Sequence, residues 1–537
     1  MDKSKKSFVN GAAILGIAGL LCKIIGAFFR IPLRNMMGVA GMNYYSTVYP
    51  YYSALLVISS SGLPTAISKL VSERTTVGDM AGAKRIFKQS ILLLSVIGAF
   101  TTCIMFFGAD RLAAFTNCPG SEKSFRALAP ALLFVSVMCA YRGYLQGLQK
   151  MTGTAISQIT EQVGKLCISL LLAKLWLPYG YDIAAMGALL GITISEVLAL
   201  IVIVAFYLNN RNIESNKIVT DSLVDSERKN SYIDFLRIIG LAIPVTIGAS
   251  IMPLTGIIDT RLIKLYLLNT GFTKDYADMC FTIFRTDVST VINMPAVLTV
   301  ALAMSLVPAI SESCAMKDHN RVHLVSGMGI KLAFFIGAPC AVGLYVVGGN
   351  VIDFLFTVTQ QELEIGTRLM QISSIGIIFL SLVQTITGCI QGLGKPVVPM
   401  LNLILGAVAK IVCMIVLMKN PSININGAAW STVVCYFVAG MLDMIYLIKV
   451  THLKLNVWNT IGKPTFCALI MGVAVFAVKK YMTFIHSNII LTVLAVFVGI
   501  IVYSIMTIML SIFDNEEMLL IPGGTKLLKI IPNRKKG

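Results

Sequence analysis

Charge is scarce in this 537-residue chain. Asp, Glu, Lys and Arg together make up 13% of it, about half of the roughly 25% found in soluble globular chains, which excludes an ordinary water-soluble protein. Histidine occurs four times. His319 and His323 have zinc-like spacing but sit in a charged loop with no third ligand, so no metal centre is expected. The twelve cysteines, among them Cys22, Cys139, Cys280 and Cys413, form no CxxC pair and fall mainly in apolar runs, as small buried side chains outside any disulfide framework. No GxxxxGK[ST] loop exists: Gly164-Lys165, Gly394-Lys395 and Gly462-Lys463 lack both the upstream glycine and the following Ser or Thr. GxSxG, HExxH and kinase signatures are missing as well. The chain is expected to be neither an enzyme nor a cofactor protein.

What is present is apolar length. The sequence is 56% hydrophobic, with a mean hydropathy of +0.81. Runs of about 18 or more apolar residues mark candidate membrane helices. Fourteen are expected, near 8–36, 43–68, 86–108, 124–147, 152–178, 183–208, 233–258, 277–310, 325–349, 366–392, 397–418, 424–448, 463–481 and 487–513. The fold class is therefore an all-α polytopic membrane protein. The formal charge of +18 does not point to nucleic acid, because most of the loop Lys and Arg, such as Lys84, Arg85, Lys88, Arg228 and Lys229, fall on one side. The positive-inside rule then puts both termini in the cytoplasm. Lys3, Lys5 and Lys6 before an apolar run resemble a signal peptide, but the run is too long, contains Lys23 and Arg30, and offers no clear cleavage site.

The sequence repeats itself. GYLQGLQK from Gly143 returns as GCIQGLGK from Gly388, matching Gly143/Gly388, Gln146/Gln391, Gly147/Gly392 and Lys150/Lys395 at one offset of 245 residues, which also carries Lys165 onto Lys410. A second echo, AIS at Ala66–Ser68, returns at Ala309–Ser311. Six expected helices separate the copies, an even number, so the halves share one orientation, as in transporters with a cleft between two lobes. The expected organisation is an N-lobe at 1–215, a linker at 216–232, a C-lobe at 233–450, two further helices within 463–513 and a basic tail at 514–537. Prolines inside spans, including Pro32, Pro50, Pro130, Pro295, Pro308 and Pro339, favour kinks.

Polar groups inside the spans are mostly basic. Lys23, Arg30 and Arg34 lie on one face of the first helix at 100° per residue. A basic residue near the bilayer centre costs about 2.5–3.5 kcal/mol, so that face should meet water, protein or an anion. Arg142, Gln146, Glu161, Lys165, Glu196, Arg285, Asp287, Lys331, Gln384, Gln391 and Lys410 are further intramembrane groups. Glu161 and Lys165 have the i, i+4 spacing of an ion pair, whereas the offset places Gly406 where Lys410 would need an acid. Lys165 is accordingly read as structural, and Lys410 either as paired with an acid from another helix or as a ligand group. The candidate binding residues are Lys23, Arg30, Gln146, Arg285, Gln391 and Lys410, for an anion such as a phosphate or carboxylate. Tyr45, Tyr49 and Tyr52 follow helical spacing, either as an interfacial aromatic belt or as a surface on which sugars stack.

KIIGAFFRIPL from Lys23, SSSGLPTAISKLVSER from Ser59 and YRGYLQGLQKMTGTAISQITEQ from Tyr141 resemble the stage V sporulation protein B family, a branch of the MurJ-like flippases in the MOP superfamily. The resemblance covers nearly the whole chain. It implies two six-helix lobes around a cationic cavity, a groove for a lipid tail formed by the last two helices, and alternating access that moves a lipid-linked cell-wall precursor such as lipid II, or a spore-wall equivalent, across the bacterial plasma membrane. The partners it implies are a polyprenyl-pyrophosphate-linked saccharide and membrane lipids, with cell-wall synthesis enzymes as further candidates. Lys23 matches the first basic position of the family's helix 1 motif, with Gly26 as the following glycine. Arg30 falls one residue past the motif's second arginine, and Arg285 about one turn before the helix 8 arginine, whose matching position is Ser289. The family's helix 2 arginine and its acidic sodium-site residues on helices 7 and 11 have no clear counterpart, which leaves ion coupling open. Two other classes compete: an exporter of organic cations, as in the MATE branch, which would need a deep acidic site, and a non-transporting scaffold, whose cavity charges would be dispensable.

Overall fold

The computed structural model describes residues 3–215, 227–453, 455–482, 488–514 and 517. Among these residues the chain is helical and turns, with no strand. In order the helices are α1 (Lys3–Ser60), α2 (Leu63–Thr76), α3 (Met80–Phe107), α4 (Ala109–Phe115), α5 (Ser121–Gly147), α6 (Met151–Trp176), α7 (Tyr181–Ser215), α8 (Glu227–Asn269) and α9 (Lys274–Thr282). A π-helical segment, Ile283–Val288, leads into α10 (Ser289–Ala315), α11 (His319–Leu355), α12 (Gln360–Gly392), α13 (Val397–Met418), α14 (Asn426–Thr451), α15 (Lys463–Tyr481) and α16 (Asn488–Met509). Each of the fourteen expected ranges overlaps a helix among the described residues. Among the described residues eleven segments are long and apolar enough to cross a membrane, and one of them, Ile14–Thr76, holds two of the expected spans.

Contacts divide the chain into a first unit, Met1–Thr282, and a second, Ile283–Gly537. This division differs from the lobes read in the sequence by the segment 233–282, because α8 packs on α1, α2 and α3. Of the expected linker, residues 216–226 lie outside the described residues, and Glu227 already starts α8. Of the expected tail only Asp514 and Glu517 are described.

Glycine sets the packing distance between helices, as small residues do where lipid offers no hydrophobic drive for helix association. In the first unit Gly143 and Gly147 press α5 against α2: a Cβ at Gly143 would lie 3.0 Å from the Pro64 carbonyl oxygen, and one at Gly147 2.9 Å from that of Ser68 and 2.6 Å from Val71 Cβ. In the second unit Gly388 and Gly392 press α12 against α10 in the same way, against the carbonyls of Ala303 and Val307 at 2.8 and 2.9 Å and against Ile310 Cβ at 2.9 Å. The repeated motif is thus a helix-packing motif. Ser68 and Val71 correspond to Val307 and Ile310, an offset of 239, so the AIS echo at 243 is one helical turn out of register.

The duplication continues beyond the repeated motif, at isolated equivalent positions. Gly98 meets Ser136 and Leu133, and Gly337 meets Ser381 and Ile378. Asp79 caps α3 by accepting from Gly82 N at 2.7 Å, and Asp318 caps α11 by accepting from Arg321 N at 3.0 Å. α5, α10 and α11 stay helical through Pro130, Pro295, Pro308 and Pro339, and the break in the backbone of α1 falls at Gly38.

A cationic tyrosine site in the first unit

Gly38 has φ 62° and ψ −169°, a conformation open essentially to glycine alone. In a straight helix Arg30 and Tyr49 would stand about 28 Å apart at 1.5 Å per residue. Instead the Arg30 guanidinium lies 5.5 Å from the centre of the Tyr49 ring, and the Phe29 and Tyr45 rings are 6.2 Å apart. The chain therefore folds back at Gly38, and the two halves of α1 face each other.

α6 supplies a second cation. Lys165 Nζ sits 5.1 Å from the Tyr49 ring centre and 5.4 Å from that of Phe29. Tyr45 stacks on Tyr49 at 5.5 Å, and Tyr52 follows at 5.9 Å. Tyr45 and Tyr52 are buried, so the tyrosines form the wall of an internal site and not an interfacial belt. Cation–π contacts are worth roughly 0.5–2 kcal/mol each, and they leave the cation's charge uncancelled. Among the described residues neither Arg30 nor Lys165 has a carboxylate within ion-pair distance. The arrangement presents two positive charges on one aromatic face and suits a dianionic phosphate.

The expected Glu161–Lys165 pair does not form. Arg142 of α5 takes Glu161 at 3.0 Å and also donates to Ser157 Oγ at 2.9 Å, while Gln162 Nε2 donates to Glu161 Oε1 at 3.0 Å. The i, i+4 rule describes a single helix; here the neighbouring helix brings a better partner, a guanidinium able to bond the carboxylate and the serine together. At the equivalent positions of the second unit Thr387 and Asn402 both bond Asp443 of α14, at 3.4 and 2.7 Å. Each unit carries a buried polar junction there, built from different residues.

The other candidates are distributed as follows. Lys23 is exposed on α1, about two turns before Arg30, next to the point where Gly26 approaches Gln162 Oε1 (3.4 Å from a Cβ built there). Arg34 is buried and has a partner. Gln146 is half-buried and Gln391 exposed, each beside the packing glycine that ends its helix. Arg285 lies in the π-helical segment, a form frequent at functional sites, and Lys410 is buried in α13; neither is without a partner. The structure thus brings Arg30 together with Lys165 and Tyr49, while Arg285, Gln391 and Lys410 belong to the second unit. Lys165, read from spacing as the partner of Glu161, instead faces the Tyr49 and Phe29 rings; the sequence signal for that placement is the tyrosine spacing at Tyr45, Tyr49 and Tyr52.

The second unit holds an apolar cavity of about 420 Å³. Val291 and Pro295 of α10, Leu344 of α11, Met471 of α15 and Val496 and Tyr503 of α16 line it.

Duplicated membrane-length helices with cations set inside them define a polytopic membrane protein. The chain belongs to the family described as Polysaccharide biosynthesis protein, whose model matches residues 8–314; the MatE family model matches 288–416. Stage V sporulation protein B of Bacillus subtilis (strain 168) is 25% identical over 97% of this chain and 98% of its own length. The lipid II flippase MurJ of the same organism is 25% identical over 89% of this chain and 90% of its own. Among solved structures, an inward closed lipid II flippase MurJ superposes with a TM-score of 0.69 at 16% identity, covering 93% of this chain and 98% of that one. An inward-facing multidrug resistance MATE transporter gives 0.65 at 13%, covering 81% and 94%.

Proposed function

We propose that the chain is a flippase that carries a lipid-linked saccharide, lipid II or a spore-wall equivalent, across the bacterial cytoplasmic membrane by alternating access. The observation that carries this reading is that Arg30 and Lys165, neither within ion-pair distance of a described carboxylate, both lie against the Tyr49 ring. They take the pyrophosphate, and the tyrosines offer faces for the first sugars. Lys23 and Gln146 in the first unit, and Arg285 and Gln391 in the second, are further candidate polar contacts for the cargo. The apolar cavity beside α15 and α16 suits a polyprenyl chain, since its lining is almost wholly hydrocarbon. Both termini lie in the cytoplasm, and wall-synthesis enzymes are the partners that supply or consume the cargo.

An organic-cation exporter would place carboxylates on the aromatic face, whereas Glu161 is already held by Arg142. The test is flipping in proteoliposomes loaded with a defined polyprenyl-pyrophosphate sugar. Arg30→Glu and Lys165→Glu should each abolish flipping while insertion into the membrane persists. Wild-type rates in the double variant would overturn the reading, as would transport of organic cations in place of the lipid.

A further inference from the structure

Glu196, on α7, stands apart from the other described carboxylates of the first unit. It is 4% exposed, and its Oε2 has no hydrogen-bond partner. An ionised carboxylate so placed is costly unless paired. Its level on α6 is fixed from both sides: Ser195 lies under Gly164, 2.9 Å from a Cβ built there, and Ser157 Oγ donates to the Ala199 carbonyl at 3.1 Å. That places Glu196 beside the stretch of α6 that carries Gln158, Glu161 and Lys165. Gln158 Oε1 is also buried without a partner. The charged and titratable groups acting on or feeling Glu196 are Glu161 and Lys165 from α6, Arg142 and Cys139 from α5, and Tyr49 and Tyr52 from α1. Arg142 and Glu161 neutralise each other. The only net charge left facing Glu196 among these is the ammonium of Lys165, and Lys165 is also the cation of the tyrosine site.

We propose that Glu196 is a reversible proton-binding site, linked through Lys165 to the anion site on Tyr49, so that an anion and a proton bind together. With the anion site empty, the Glu196 carboxylate balances Lys165. A pyrophosphate arriving on Lys165 takes over that charge, and the carboxylate, left as excess negative charge in a buried setting, binds a proton from water. Binding is reciprocal: proton occupancy strengthens anion binding by the same factor. The linkage rests on the anion reading of the site; the proton site itself does not.

Infrared difference spectra of the purified full chain, recorded against pH with and without geranylgeranyl pyrophosphate, separate the two. The wild type should show a protonated-carboxyl band that disappears as pH rises and that Glu196→Gln lacks. With the pyrophosphate bound, its loss should move to higher pH by about one unit, a tenfold gain in proton affinity, and Lys165→Gln should abolish that move. Should Glu196→Gln fail to fold, Glu196→Asp, which keeps an acid, should shift both the band and the pH of its loss. A band unchanged in the Glu196 variants, or one that persists at every pH, overturns the proton site. A titrating band that bound pyrophosphate leaves in place overturns the linkage. If the pyrophosphate does not bind the wild type at all, the substrate reading falls together with the linkage, while the ligand-free titration still decides the proton site.

Discussion

Arg142, Lys165 and Lys410 are three basic residues inside spans, and their surroundings give each a different task. Arg142 holds Glu161 across two helices at a largely buried position. Breaking a buried pair from one side leaves an uncompensated charge and costs about 3–5 kcal/mol. Arg142→Gln or Glu161→Gln should destabilise the protein by an amount of that order, read as a lower thermal midpoint in detergent, and the double variant should recover part of the loss. Lys165 has no such carboxylate. Lys165→Gln should leave the thermal midpoint near that of the wild type and weaken pyrophosphate binding at least tenfold, measured by calorimetry. For Lys410, buried and already engaged, substitution by Gln should mainly cost stability. These expectations reverse those drawn from spacing alone. The residue types of the site were legible, since deep basic residues and clustered tyrosines stand out in an apolar sequence. Which cation kept its charge was not, because pairing depends on neighbours from other helices.

Among the elements, α1 departs furthest from its sequence. Its two spans were legible from apolar length, but the fold-back comes from one glycine among several, and no local signal separates Gly38 from Gly26 or Gly41. Gly38→Ala forces a side chain into a conformation costing of order 1–3 kcal/mol. It should slow flipping, and a cysteine pair at positions 30 and 49, which the fold-back keeps close, should crosslink less efficiently than in the Gly38 background. The turn after α5 offers a milder case. Gln149 adopts φ 60°, and its counterpart Gly394 has φ 78°. A non-glycine residue there is disfavoured by about 1 kcal/mol, so Gln149→Gly should raise stability slightly, by ~0.5 kcal/mol, and Gly394→Gln should lower it similarly, both read by thermal unfolding. At the packing glycines the expected effect is larger: Gly147→Val and Gly392→Val should both cut the yield of folded protein, because Val71 and Ile310 leave no room for a branched side chain.

At the scale of the whole molecule the duplication was legible from eight residues, yet its full extent shows only in the contacts. It also records where the copies have come to differ in length. α2/α10 and α3/α11 keep an offset of 239, through Ser68/Val307 and Gly98/Gly337. α5/α12 and α6/α13 keep 245, through Ser136/Ser381 and Leu172/Leu417, and α7/α14 shift to 240, through Gly187/Gly427. The turns from α2 to α3 and from α5 to α6, with their counterparts, have therefore stayed equal in length. The stretches from α3 to α5 and from α6 to α7 have not. In an up-and-down bundle those two sets of connections alternate, so within each unit one end has accepted insertions and deletions and the other has refused them. A two-residue insertion at 117–119 or at 421–423 should leave folding and flipping close to wild type, while the same insertion at 148–150 or at 393–395 should abolish flipping in protein that still elutes as a single species. Equal tolerance at both ends would mean that the length record is accidental. Unequal tolerance would make the chain's own history a map of its moving parts, with the invariant end as the machine's bearing and the variable end as its casing.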